Sequence, residues 1–357
     1  TGKGILPDDE TEKLLAEWMT PDHYEILASD EDVDIYKPPP SDALALLGGE
    51  STVDPENRLL VVFRKGAIPI EIARAAAPAL RSSARPSRNR GNAAGKVDLE
   101  KLKMGHPERI LLDPSSKVRA RYYTLDGDLS KVNIANVTMG GIIGNFSSSP
   151  RNPYCRQTAY TRDHFEEFSE TLVPLIREVD RCFRETVPGR WTKQRDFIRS
   201  REIDRKGWAI ADTVFTTGTV NYNFRTAGHY DAGDFVAGFG NITVVERGDR
   251  YEGCHTVFPK FRIAANVRTG DFVAMDVHEL HGNTDLLPAD PEKTEFERLT
   301  LVCYCRTALE ECGTTLEEED KYERWAALGS LQERRREELS AEKADNSLGM
   351  LLNPDDA

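Results

Sequence analysis

Apolar residues repeat with two different periods along this chain. Between Asp163 and Thr186, Phe165, Phe168, Leu172, Leu175, Ile176, Val179 and Phe183 recur at steps of three and four. That spacing predicts a long helix with one apolar stripe, and Pro174 inside it predicts a kink. From Thr213 to Thr307 the pattern shortens to strand-like runs at 241–246, 261–267, 271–276 and 298–305. Turns such as Arg247-Gly248-Asp249 and Thr269-Gly270-Asp271 separate them. Short, evenly spaced strands predict a sandwich or jelly roll. The expected fold is therefore mainly β with flanking helices: a double-stranded β-helix core of the cupin-like, jelly-roll kind, braced by helix 163–186.

The first third of the chain is less regular. Thr11–Met19 reads as a short helix, Lys37-Pro38-Pro39-Pro40 as a stiff connector and Leu59–Phe63 as a buried strand. Ile70–Leu80 is Ala-rich and predicts a helix interrupted or ended near Pro78. Arg119–Tyr123 and Val132–Ile143 are strand candidates, the second broken by Gly140-Gly141. Arg81–Gly91 is basic, small and polar without periodicity, which predicts a mobile loop. Its arginines, Arg85, Arg88 and Arg90, suit phosphate contacts, with an ordinary disordered insert as the alternative. Lys96, Lys101 and Lys103 extend the positive bias. Beyond Cys312 the chain is charged, with Leu316, Tyr322, Trp325, Leu328 and Leu331 as a broken helical stripe laid on the core before a frayed tail. The expected division is an accessory region 1–119 with basic loop 81–103, a core 120–313, and a charged helix and tail 314–357.

Composition narrows the function classes. The 357 residues carry a net charge of −13, which argues against passive nucleic-acid binding and leaves only a local basic groove. No run of eighteen apolar residues exists, so no membrane span is expected. Thr1-Gly2-Lys3-Gly4 does not read as a signal peptide. Six cysteines without a CxxC pair predict reduced, buried thiols of an intracellular protein, not a zinc site.

One constellation carries chemistry. His229 and Asp231 are two apart, so an extended strand sends both side chains to one face. His281 follows later, and two imidazoles with one carboxylate form the facial triad of non-haem Fe(II) oxygenases. In Arg298–Tyr304, alternation places Arg298, Thr300, Val302 and Tyr304 together. An inward arginine with a hydroxyl two residues on suits a bidentate grip on a carboxylate. Spacing alone does not choose between His278 and His281 as the distal ligand.

The strings Gly228–Phe235, Gly238–Val244, Gly270–Thr284 and Cys155–Thr161 resemble the TET/JBP family of Fe(II) dioxygenases, which oxidise the 5-methyl group of thymine or 5-methylcytosine in DNA. The resemblance spans roughly residues 120–310. It implies His229, Asp231 and His281 as iron ligands and Arg298 as the co-substrate arginine, with His278 left structural. It also implies co-substrate contacts from Asp234, Thr300 and Asn223, a catalytic part for Asp234, and contact with co-substrate or DNA phosphate from Arg225. Within the family the strings are most similar to the green-algal branch, which uses vitamin C (L-ascorbate) in place of 2-oxoglutarate and transfers a glyceryl group to the methyl carbon. Asp234 would repel a dicarboxylate and accept hydroxyl hydrogen bonds from ascorbate. The implied requirements are Fe(II), O2, ascorbate or 2-oxoglutarate, and DNA containing 5-methylcytosine, in the nucleus, with no obligate protein partner. Three rivals stand beside this reading: an ordinary 2-oxoglutarate-dependent hydroxylase of 5-methylcytosine or thymine, a non-catalytic DNA-binding jelly roll, and an oxygenase of proteins or small molecules.

Overall fold

The computed structural model describes residues 25–27, 31–38, 58–88, 90–95, 97, 110–111, 122–123, 136–149 and 152–329. The expected helix at Thr11–Met19, the prolines Pro39 and Pro40, Lys96, Lys101, Lys103 and the tail beyond 329 lie outside these residues. So do Arg119–Arg121 and Val132–Ala135.

The strands before the long helix are β1 (Glu25–Leu27), β2 (Val33–Tyr36), β3 (Leu59–Arg64), β4 (Arg85–Ser87), β5 (Ile110–Leu111), β6 (Tyr122–Tyr123), β7 (Thr138–Phe146) and β8 (Arg156–Gln157). Those after it are β9 (Thr217–Tyr222), β10 (Gly240–Gly248), β11 (Tyr251–Gly253), β12 (Thr256–Phe258), β13 (Ile263–Ala265), β14 (Phe272–Met275), β15 (Gly282–Asn283), β16 (Leu286–Pro288) and β17 (Phe296–Tyr304). The main sheet has the order β2-β3-β14-β10-β17-β9-β7-β4, with β8 on β7. The smaller sheet runs β1-β13-β12-β15. Apart from the parallel β1–β13 pair, the strands of both sheets pair antiparallel. The four central strands β14-β10-β17-β9 facing β13-β12-β15 make a jelly roll, as the strand spacing predicted.

Alternation divides each central strand between two cores. Ile242, Val244, Val273 and Met275 meet Phe258, Ile263 and Ala265 of the smaller sheet inside the roll. Val245, Phe272, Ala274, Leu299, Leu301 and Cys303 face a helical layer. That layer comprises α1 (Ile70–Ser83), α2 (Ala159–Asp163), α3 (Val173–Thr186) and α4 (Pro188–Ser200). Residues 315–329 form a further helix, α5. It meets the body through Glu318 and through Tyr154, whose ring lies 5.1 Å from Tyr322 and 5.6 Å from Trp325. Leu316 and Leu328 stay exposed instead of lying on the core.

Several expectations need correction. Helix α1 does not stop at Pro78 but runs on to Ser83. Ala73, Ala76, Ala77, Ala79 and Leu80 are buried on the sheet, and that packing outweighs one missing hydrogen bond. Around Pro174 the long helix widens into a π turn, Phe168–Leu172, directly before α3. The turn accommodates a proline that can neither donate to nor sit beside the carbonyl four residues back. β7 is unbroken through Gly140-Gly141. A side chain on Gly141 would place Cβ 2.1 Å from the Ser83 carbonyl oxygen, so glycine lets the end of α1 cross the strand. Arg81–Gly91 is not a mobile loop: it supplies the last turn of α1 and the edge strand β4, paired with Thr138–Gly140. β2, β3 and β4 all belong to the main sheet, so that sheet crosses the expected boundary at residue 120. Finally, Cys155 and Cys312 form a disulfide with Cα atoms 5.9 Å apart, while Cys182, Cys254, Cys303 and Cys305 are free and buried. The two partners are 157 residues apart, a pairing that spacing could not reveal.

Candidate metal centre and co-substrate pocket

His229 and His281 lie opposite each other in an antiparallel bridge that extends the smaller sheet beyond β15. The His229 N–H donates to the His281 carbonyl at 2.9 Å, and the His281 N–H returns the bond at 3.1 Å. Two backbone bonds thus set the imidazoles side by side, with ring centroids 4.4 Å apart. Asp231, two residues on, is fixed by its own N–H to Val277 O at 3.0 Å. Its carboxylate oxygens lie 3.7 Å from each histidine Nε2. One ligand atom from each residue falls within 4.8 Å of the others.

The hydrogen bonds behind the rings prepare them for a metal. His229 Nδ1 is 2.7 Å from Ala227 O, and His281 Nδ1 is 2.9 Å from Glu279 O. A carbonyl only accepts, so each Nδ1 carries the proton and each Nε2 lone pair faces Asp231. Burial, and after it the neighbouring His281, pull the His229 pKa down to about 4, so the ring is a neutral donor at pH 7. The Asp231 side chain keeps 40% exposure, which leaves the cluster open on one side. The donor set fits a divalent iron. His278 is engaged elsewhere: its Nδ1 lies 3.3 Å from Asp276, which also binds Lys37 at 2.8 Å. The Asp276 hydrogen bond raises the His278 pKa.

Arg298 is buried on the inner face of β17, where its Nη1 donates to Thr300 Oγ1. Burial works against its charge, but Cys254, Tyr251 and Glu246 more than offset this and its pKa is raised. Its Nε is buried without a partner, as are Asn221 Oδ1, His255 Nδ1 and Arg90 Nε. Burial, then Arg268 and Arg298, lower the His255 pKa to about 4. An unsatisfied buried polar atom costs ~1–3 kcal/mol. The unpartnered Nε–H groups of Arg298 and Arg90 are donors and suit an anionic ligand, and the carboxylate of 2-oxoglutarate fits the Arg298–Thr300 pair.

Other expected site residues lie in different places. The amide of Asn223 is engaged by the backbone: its Oδ1 accepts from the Arg298 backbone N–H at 2.7 Å and its Nδ2 donates to Phe296 O at 2.8 Å. Both ends of its amide hold the start of β17. Arg225 donates from Nε to Asn283 O at 3.2 Å and lies 3.4 Å from Asp285. Asp234 bridges Arg306 through its backbone, close enough to the cluster for Asp231 to act on it. Burial first, then Asp231, hold its carboxyl well above the ordinary range, with Arg306 opposing. Arg85 and Arg88 are exposed. Arg90 turns inward to Thr219, 3.4 Å from its Nη1.

Tyr304, Thr219, Asn221 and His255 also line this interior and were not singled out as site residues. Tyr304 alternates with Arg298 on β17, and Asn221 stands in register with Thr300. That shared register is the signal that could have found them.

The same region of the chain is similar to known proteins. Residues 142–307 match the Tet_JBP family model, described as the oxygenase domain of the 2OGFeDO superfamily. The bifunctional helicase and thymine dioxygenase JBP2 of Leishmania infantum is 31% identical over 250 residues, 68% of this chain and 22% of the relative. Thymine dioxygenase JBP1 of Leishmania braziliensis is 35% identical over 175 residues, 48% of this chain and 20% of the relative. The chain thus spans about a fifth of these curated relatives. Among solved structures, NgTET1 in complex with 5mC DNA matches at a TM-score of 0.42 and 11% identity, covering 88% of this chain and 99% of that one.

Proposed function

The chain belongs to the TET/JBP family of oxygenases, and from that premise we propose that it hydroxylates the methyl group of a 5-methylated pyrimidine in DNA, using Fe(II), 2-oxoglutarate and O2. The observation that carries the proposal is the His229–Asp231–His281 cluster, with its two Nε2 lone pairs turned to one carboxylate, on the same roll as a buried arginine with an orphaned Nε. His229, Asp231 and His281 would hold the iron. Arg298 and Thr300 would hold the far carboxylate of the co-substrate. Bound there, the iron and its co-substrates supply the oxidation: O2, 2-oxoglutarate and the methyl group become succinate, CO2 and a hydroxymethyl group.

The chain's own residues position and shield. The rigid backbone bridge keeps both imidazoles in place, and the Asp231 side offers the approach from solvent. A methyl group inside a duplex cannot reach this cluster, so the base is flipped out. Arg85 on the edge strand and Arg88 just past its end supply sequence-independent phosphate contacts, a local basic patch on a chain whose net charge is −13.

A second reading is favoured by Asp234. Its carboxyl sits near the cluster and suits the hydroxyl groups of ascorbate, the co-substrate of glyceryl transfer. One experiment separates the readings: DNA containing 5-methylcytosine or thymine is incubated with the protein, Fe(II), and either 2-oxoglutarate or ascorbate, and the nucleosides are read by mass spectrometry. A product heavier by one oxygen with 2-oxoglutarate is expected. A glyceryl adduct formed only with ascorbate transfers the assignment to the second reading, and Asp234→Ala should then abolish it. No modified nucleoside under either condition refutes both.

A further inference from the structure

We propose that Val236 is a wedge: the tip of a braced turn beside the His229–Asp231–His281 cluster, which enters the DNA stack where the target base has left it. The inference rests on the reading above, in which a methylated base is flipped out of a duplex toward that cluster.

Val236 stands out by its exposure and its place. It is 73% exposed, and no large apolar residue among those described is more so. It follows Asp234 by two residues, so their Cα atoms lie within about 7 Å of each other. The Asp234 carboxyl is in turn close enough to the cluster for Asp231 to act on it. Asp231 keeps the cluster open to solvent on its own side. An apolar, branched side chain thus stands in water close to the entrance by which a base must arrive.

The tip of a surface turn is ordinarily mobile, but this one is held on both legs. The Gly238 N–H donates to Phe235 O at 2.9 Å and closes a β-turn with Val236 and Ala237 at its centre. The first leg is tied to the segment after β17. There the Phe235 N–H donates to Cys305 O at 2.9 Å, the Thr307 N–H donates to Gly233 O at 3.1 Å, and Asp234 bridges Arg306. Behind the turn stands α4, whose residues 190, 194 and 197 share one face. The Arg190 guanidinium lies 4.5 Å over the Phe239 ring, and Phe197 stacks on Phe235 at 4.4 Å. Between them, a Cβ on Gly238 would stand 2.1 Å from Gln194 Oε1. Gln194 is itself buried and donates to Val214 O at 2.7 Å, so it does not give way. The turn therefore has no room to recede when a duplex presses on it.

A flipped base leaves a gap that its neighbours would close again. An apolar side chain held in that gap keeps them apart without reading their sequence. Valine suits the task because branching at Cβ leaves it few rotamers to lose.

The test compares two duplexes, one with 5-methylcytosine paired to guanine and one with it opposite adenine, where flipping costs less. Turnover is measured with Fe(II) and both co-substrates present. In Val236→Gly the ratio of matched to mismatched turnover should fall at least about tenfold, while Val236→Leu, which keeps a wedge, should stay within about threefold of wild type. A 2-aminopurine placed beside the 5-methylcytosine should brighten when protein loaded with Mn(II) binds, and brighten less with Val236→Gly. A general structural defect would lower both turnovers together and leave their ratio alone. A ratio in Val236→Gly within about twofold of wild type, or an equal rise in fluorescence, overturns the proposal. If melting curves show that Val236→Gly is unfolded, Val236→Ser decides by the same ratio. Wild type that modifies neither duplex refutes the DNA reading itself, whereas normal wild-type turnover with an unmoved ratio refutes only the wedge.

Discussion

The triad segment, 229–231, and the basic segment, 85–90, are both short and polar, and each sits at an edge: the first extends the smaller sheet beyond β15, the second closes the main sheet beside β7. They differ in what fixes them. His229 is set by two backbone bonds to His281, the residue beside which it stands in the candidate metal centre, so structure and proposed chemistry use one contact. The basic segment is set by β7, which carries no complementary charge in the paired stretch, only Thr138, Met139 and Gly140. Composition therefore describes the first segment correctly and misdescribes the second. Three arginines in a run of small residues suggest one solvated loop, yet pairing with β7 sends Arg85 outward and lets Arg90 run in.

The comparison can be broken at its strongest point first. His229→Ala, Asp231→Ala and His281→Ala should each abolish Fe(II) retention and turnover while leaving circular dichroism near wild type, because the backbone bridge does not need the imidazoles. A variant at His278 should retain the metal. Loss of metal in His278→Ala together with its retention in His281→Ala would reverse the ligand assignment.

A smaller effect is expected where the basic segment is anchored. Gly141→Ala drives a methyl group against the Ser83 carbonyl, at the end of α1 beside β4. It should cost about 1–3 kcal/mol of stability, read as a lowered denaturation midpoint with the metal site intact. An unchanged midpoint would show that the β4–β7 junction yields freely, and the contrast in rigidity between the two segments would disappear.

The smallest effect belongs to the exposed arginines. Arg85→Gln and Arg88→Gln should each flatten the salt dependence of DNA binding by about 0.9 in log–log slope, with product identity unchanged. Unaltered slopes would leave the outer face of β4 without a nucleic-acid role.

Much of the fold was legible because its strongest signals are periodic. The stripe from Phe165 to Phe183 and the alternating runs from Asn241 to Cys305 state their own geometry. The triad was legible because His-x-Asp and the distal histidine are spaced by strands that alternation had already identified. Spacing could not separate His278 from His281; the bridge to His229 does, and the Asp276 pair accounts for the residue left over. Helix α4 drew no expectation, and its buried face includes Arg190 and Gln194 among few apolar residues. The two backbone groups that Asn223 satisfies, at Phe296 and Arg298, could not be read from its place in the sequence either. Pairing between distant residues, as in Cys155 with Cys312, leaves no local trace.

That disulfide has a topological consequence. Cys155 precedes β8 and Cys312 follows β17, so the bond turns the intervening stretch into a closed covalent ring that contains all three residues of the candidate metal centre. Glu318 doubles the clasp, its two oxygens receiving the backbone N–H groups of Cys155 at 2.6 Å and Gly313 at 2.8 Å. A single proteolytic cut anywhere between residues 156 and 311 opens the ring into a line without releasing a fragment. The nicked protein migrates as one species until it is reduced.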